Sequence, residues 1–305
     1  MTADQILTLV VAILGGALRV GAPFLFVSLG ECITEKAGRI NLGLEGVLVL
    51  SAMAAFGGSY LSGSAWIGVL CAMAAGALLA ALHGVLCTLP RVNDVATGIA
   101  LMLLGTGLAF YLGKPLIQPQ AAQLPAIELG AWSSSPAIQA ALQINPLVPI
   151  GVLLAGGLWW AFAHTRAGLL VRMAGDSAQA ARALGYSVGG IRIAATAAGG
   201  MVAGLGGACL TLFYPGSWNE GISSGQGLIA VALVIFARWD PRRCVVAALL
   251  FGGAGAVGPA LQSVGISWGY HLFNIVPYVL TLAILVASCR PGQLAAGSPG
   301  ELSSR

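Results

Sequence analysis

The sequence predicts an all-α membrane protein, a polytopic bundle of about nine transmembrane helices, one of them short or re-entrant. Hydrophobic residues fill 58% of the 305 positions against 8% charged, and the mean hydropathy is +0.90, a balance that a water-exposed fold could not carry without aggregating. Apolar runs of about 20 residues recur from end to end, and lipid leaves only helices or a closed barrel able to satisfy the backbone. The runs are too long and too continuous for alternating barrel strands. The 44 glycines agree, because small residues let membrane helices approach closely.

The crossings fall roughly at residues 6–29, 41–62, 65–89, 95–113, 147–164, 191–213, 225–237, 243–263 and 272–289. Only Asp4 precedes the first run, so the positive region of a signal peptide is missing and the run is expected to remain as a span. Arg19 stands before Gly21-Ala22-Pro23, where this helix is expected to break; the arginine either pairs near an aqueous cavity or snorkels to an interface. The interval 114–146, with Pro115, Pro119, Pro125, Pro136, Pro146 and Trp132, reads as an ordered outer loop lying against the membrane. The seventh run, GLIAVALVIFARW, is too short for a straight helix to span a bilayer of about 30 Å. Residues 291–305 read as a disordered cytoplasmic tail on a transmembrane domain of residues 1–290. A faint echo between Asn93-Asp94 with its following span and Asn219-Glu220 with its own is what an inverted repeat would give, with a path between the halves.

With the amino terminus outside, twelve of the fourteen basic residues fall on the inner side, so the positive-inside rule selects that orientation. The charge of +4 therefore speaks for membrane orientation and not for nucleic acid. The six cysteines form no CxxC pair and read as small apolar residues. No phosphate-binding GxxxxGK[ST] loop is present, and His83, His164 and His271 lack the spacing of metal ligands, so neither catalysis nor a cofactor is indicated.

Two polar stretches carry chemistry. In Arg166 to Arg192, Asp176-Ser177-Ala178-Gln179 has a capping-box arrangement and Gly185 supplies a stop, which predicts an inner helix of about two turns from Ser177 to Leu184. Ala178, Ala180, Ala181, Ala183 and Leu184 make a slim knob able to enter a groove on another protein, and flanking arginines such as Arg172 can bind acids or lipid phosphates. The plain alternative is a loop closing a hairpin. In Gly30 to Gly46, Glu31 and Glu35 are compatible with a solvated loop sharing one helix face. Glu45 lies inside an apolar run, four residues from Asn41, so it faces protein or a water-filled path; it either locks a helix or contacts solute.

GECITEKAGRINLGLEG, NDVATGIALMLL, RMAGDSAQAARALGYSV and GLIAVALVIFARWDP together resemble the permease subunits of bacterial ABC importers of the branched-chain amino acid and simple-sugar type, over residues 20–290. The nucleoside-importer branch, with its TERAG-NLGLEG segment, is the most similar. The resemblance implies an inner-membrane uptake subunit without an ATPase site of its own. Its partners would be a cytoplasmic ATP-binding subunit, a second permease, related or identical, and an extracytoplasmic solute-binding protein. The family's coupling helix maps onto Arg172 to Gly185, with Arg172, Asp176, Ala180, Ala181, Leu184 and Gly185 as contacts; the usual Gly-Glu-Asn ahead of it reads Gly175-Asp176-Ser177 here. Asn41, Glu45, Asn93, Asp94, Trp218, Asn219 and Glu220, with Tyr214, are the candidates for the solute path. A nucleoside is the expected solute; a monosaccharide permease and an ion-coupled secondary transporter are the alternatives.

Overall fold

A computed structural model describes residues 3–117, 119–213, 216–263 and 297–303, with five further positions between 275 and 283. Among the described residues seven helices are long and apolar enough to cross a membrane, and an eighth apolar helix is shorter. The ninth expected crossing lies almost wholly outside them, and so does Tyr214.

The spine is α1 (Ala3–Lys36), 34 residues without interruption. The expected break at Gly21-Ala22-Pro23 does not occur. Pro23 sits inside the helix, and the nearby Gly21 lies against the Ala248 carbonyl of the helix over Pro241–Ser263, so packing holds α1 on course where a lone helix would kink. Because α1 runs on to Lys36, Glu31 and Glu35 are not in a solvated loop. Both are buried on its last turns: Glu31 Oε1 accepts from the Asn41 amide at 2.8 Å, and Glu35 accepts from the Trp239 indole.

After α1 come α2 (Leu44–Ser62), α3 (Ala65–Leu86) and α4 (Asp94–Gly113). Gly63, at φ +70°, ends α2 and allows the tight hairpin into α3. The interval after α4 is ordered: β1 (Ile127–Glu128) pairs antiparallel with β2 (Gln143–Ile144), and α5 (Pro136–Ala141) lies between them. Arg19 donates to the Ala140 carbonyl at 2.8 Å, so the arginine of the first span anchors this loop helix. There follow α6 (Leu147–His164), α7 (Arg166–Asp176), α8 (Ala178–Ala183), α9 (Val188–Leu212), α10 (Gln226–Phe236), α11 (Pro241–Ser263) and α12 (Gly300–Ser303).

The bundle packs backbone to backbone. A side chain on Gly30 would run into the Gly199 carbonyl of α9, and one on Gly199 into the Gly30 carbonyl; Gly76 and Gly200 repeat the relation between α3 and α9. Lipid is as apolar as leucine, so this close fit holds the helices together where solvent exclusion cannot. Gly199→Leu is accordingly expected to destabilise at the upper end of the roughly 1–3 kcal/mol typical of overpacked cores, because the obstacle is main chain. An unchanged melting temperature in detergent would contradict this.

The tail differs from expectation. Its described part includes a helical turn, α12, whose Glu301 accepts from the Ala178 amide at 2.9 Å and pairs with Arg192 at 3.1 Å. Composition foresaw too little apolar area for folding, but one carboxylate meeting a buried guanidinium seats the segment without a core of its own.

Candidate functional site

The elbow between α7 and α8 is built from caps. Thr165 Oγ1 accepts from Gly168 to start α7, and Ser177 Oγ accepts from Ala180 at 3.2 Å to start α8. The cap is thus Ser177, one residue later than the capping-box reading, and Asp176 is the last residue of α7. Gly185, at φ +84°, donates to Arg182 while Tyr186 donates to Ala181, the paired bonds of a Schellman stop. Ala178 and Ala181 are buried against Ala174 and Val188. Ala180, Leu184, Gly185 and Tyr186 face outward, Leu184 with 68% of its surface exposed. Arg172 stands apart from the knob, lining a small pocket with Lys36 and Arg238.

The second centre is Glu45. Its Oε1 accepts from Ser223 Oγ at 2.5 Å and from the Gly225 amide at 3.1 Å, and its Oε2 from the Gly227 amide at 2.7 Å. A carboxylate from α2 therefore caps the N-terminus of α10, where the unpaired amides and the helix dipole favour negative charge. From there α10 leads to Trp239, which donates to Glu35, while Trp218 packs on Gly113 at the far end of α4. The seventh crossing is thus a half-helix completed by non-helical backbone at 216–225, with Ser224 at φ +47° and Gly225 at +79°. Irregular backbone at membrane depth is tolerated only where protein covers it or a cavity adjoins it.

The remaining path candidates do not converge on one point. Asn41 Oδ1 accepts from Gly43 and shapes the turn into α2. Asn93 is the N-cap of α4, accepting from Val95 and Ala96. Asp94 is buried and pairs with Arg39 at 2.6 Å, and Arg39 also donates to the Cys87 carbonyl. Asn219 closes a turn onto Gly221, well before α10, and Glu220 is exposed, so the two legs of the suspected echo are built differently. Trp218 is 1% exposed, yet its Nε1 has no partner among the described residues. Gln226 Oε1, at the first turn of α10, likewise has none. Nothing in the sequence singled out Gln226 beyond an amide opening an apolar run.

Comparisons with known proteins agree with this architecture. TsgC13 of Haloferax volcanii, provisionally described as a glucose ABC transporter permease protein, is 32% identical with 90% of each chain covered. The nucleoside ABC transporter permease protein NupC of Lactococcus lactis subsp. cremoris is 28% identical, again over 90% of each chain. The guanosine ABC transporter permease protein NupQ of Bacillus subtilis is 26% identical over 92% of each. In fold, the chain is similar to an ABC transporter provisionally described as of the metal-chelate type and solved in an inward-facing conformation, with a TM-score of 0.50 and 13% identity over 90% of this chain and 85% of that one. The family described as branched-chain amino acid transport system / permease component matches residues 13–287, nearly the whole bundle from α1 onward, and the chain belongs to that family.

Proposed function

We propose that this permease subunit imports a neutral, hydroxyl-bearing solute, a nucleoside first and a monosaccharide second. In this reading its arginine-rich end lies in the cytoplasm, and a cytoplasmic ATP-binding subunit grips α8. Glu45 carries the argument. Broken membrane helices often turn a positive N-terminus toward an anionic solute, but here Glu45 already occupies that end of α10. What remains are a donor on the non-helical leg, Trp218 Nε1, and an acceptor at the first turn of α10, Gln226 Oε1, suited to hydroxyls and base nitrogens. The path would then run beside residues 218–226, between this chain and a second permease, with a solute-binding protein delivering at the opposite end. The nucleoside and guanosine permeases among its relatives support the first choice, and the glucose permease supports the second.

Competition decides between them. In cells carrying the assembled importer, unlabelled nucleosides are expected to suppress uptake of labelled guanosine while glucose leaves it unchanged. Glucose uptake that nucleosides do not suppress would select the sugar reading. Transport driven by an ion gradient in vesicles without ATP would overturn both.

A further inference from the structure

The pocket beside Arg172 belongs to neither centre above. It encloses about 220 Å³, and its walls include Lys36, Arg172, Arg238 and Asp240, with Trp159 and Trp239 as flat sides. That volume is below the roughly 300 Å³ at which drug-sized sites begin, so it suits a compact group. Three cations face one acid, and the acid is already engaged: Asp240 accepts from the Arg242 amide at 2.9 Å and pairs with the Arg242 guanidinium at 3.2 Å. Burial alone would raise the Asp240 pKa, but the Arg242 hydrogen bonds and the charges of Arg242 and Arg243 carry it below the usual carboxylate value. Among the described residues Lys36, Arg172 and Arg238 have no ion-pair partner, and Arg172 Nε is buried without a hydrogen bond. Arg238 and Trp239 both stand at positive φ, +52° and +56°, a region that non-glycine residues enter at a cost. The Trp239 indole on Glu35 and the Cys32 thiol on the Trp239 carbonyl fix this strained turn, which places Arg238 on the pocket wall.

The depth of the pocket identifies its occupant. At this end of α6, Trp159 and Trp160 are both exposed, His164 stacks on Trp160 with ring centroids 6.0 Å apart, and the Arg242 guanidinium lies 4.3 Å over Trp159. Tryptophan and arginine in this arrangement mark the level of lipid headgroups. Basic pockets between membrane helices at that level attract anionic headgroups. We infer that the pocket binds the headgroup phosphate of an anionic phospholipid, held by Lys36, Arg172 and Arg238.

The full-length chain is reconstituted in nanodiscs of phosphatidylcholine doped with phosphatidylglycerol, released gently, and read by native mass spectrometry. The wild type is expected to retain phosphatidylglycerol over phosphatidylcholine by roughly tenfold or more. Lys36→Gln combined with Arg238→Gln brings the ratio close to one, and inorganic phosphate does not displace the lipid. Equal retention of both lipids by the wild type overturns the inference whether or not the variant folds. Displacement by inorganic phosphate overturns it in favour of a free anion. A folded variant that keeps the wild-type lipid ratio overturns the assignment of the headgroup to Lys36 and Arg238.

Discussion

Leu184→Asp is expected to abolish solute-stimulated ATP hydrolysis in the assembled importer while leaving the permease folded. Leu184 is 68% exposed at the end of α8, and substitutions at such positions shift stability by about 0.5 kcal/mol or less. Loss of function there reports on a surface that another molecule must cover. An apolar anchor at the centre of an interface is worth about 2 kcal/mol or more, roughly thirtyfold in affinity, and an aspartate adds an unpaired charge to a closed groove. Size-exclusion chromatography of the isolated permease checks the fold, and co-purification of the ATP-binding subunit with ATPase assays checks coupling. Normal stimulation would remove α8 from the coupling role.

Glu45→Ala is expected to cripple both stability and transport. The substitution strands the Ser223 hydroxyl and the amides of Gly225 and Gly227 at the break of the seventh crossing. Each hydrogen bond to a charged acceptor is worth roughly 1.5–3 kcal/mol, so even strongly non-additive losses reach about 3 kcal/mol. Glu45→Gln keeps the volume and one acceptor oxygen, and should recover part of that. The pair separates the two roles that the sequence left open for Glu45. A helix lock lowers the melting temperature and the transport rate together, whereas a solute ligand would raise KM at unchanged stability.

Much of the bundle could be read from the chain because lipid imposes a single demand, an apolar run long enough to satisfy its own backbone. The short helix α8 and its Gly185 stop were legible because caps act within a few residues of themselves, although the cap is Ser177 and not Asp176, and α7 ahead of it was not foreseen. Long-range partnerships were not legible. Glu45 announced only that it needed a partner; that the partner is the break at residues 223–227 depends on how α2 and α10 meet. Asn93 and Asp94 looked like path residues because polar groups beside a span invite that reading, yet a cap and a buried ion pair use them both. The course of α1 past Pro23, and with it the burial of Glu31 and Glu35, rests on contacts with α11 and Trp239 that no periodicity encodes. Glu301 escaped notice because the composition of a tail says nothing of one well-placed charge.

The glycine-to-carbonyl crossings of α9 with α1 and α3 have a mechanical consequence. Shear between helices needs side chains that can change rotamer as ridges slide, and here main chain rests on main chain. A slip of one residue would bring Leu29 or Glu31 to the place of Gly30, against a carbonyl that cannot yield. The three helices therefore act as one stiff lever. α8 is tied to them through Glu301, which bonds the Ala178 amide and pairs with Arg192, so a displacement of α8 is expected to move all three helices together.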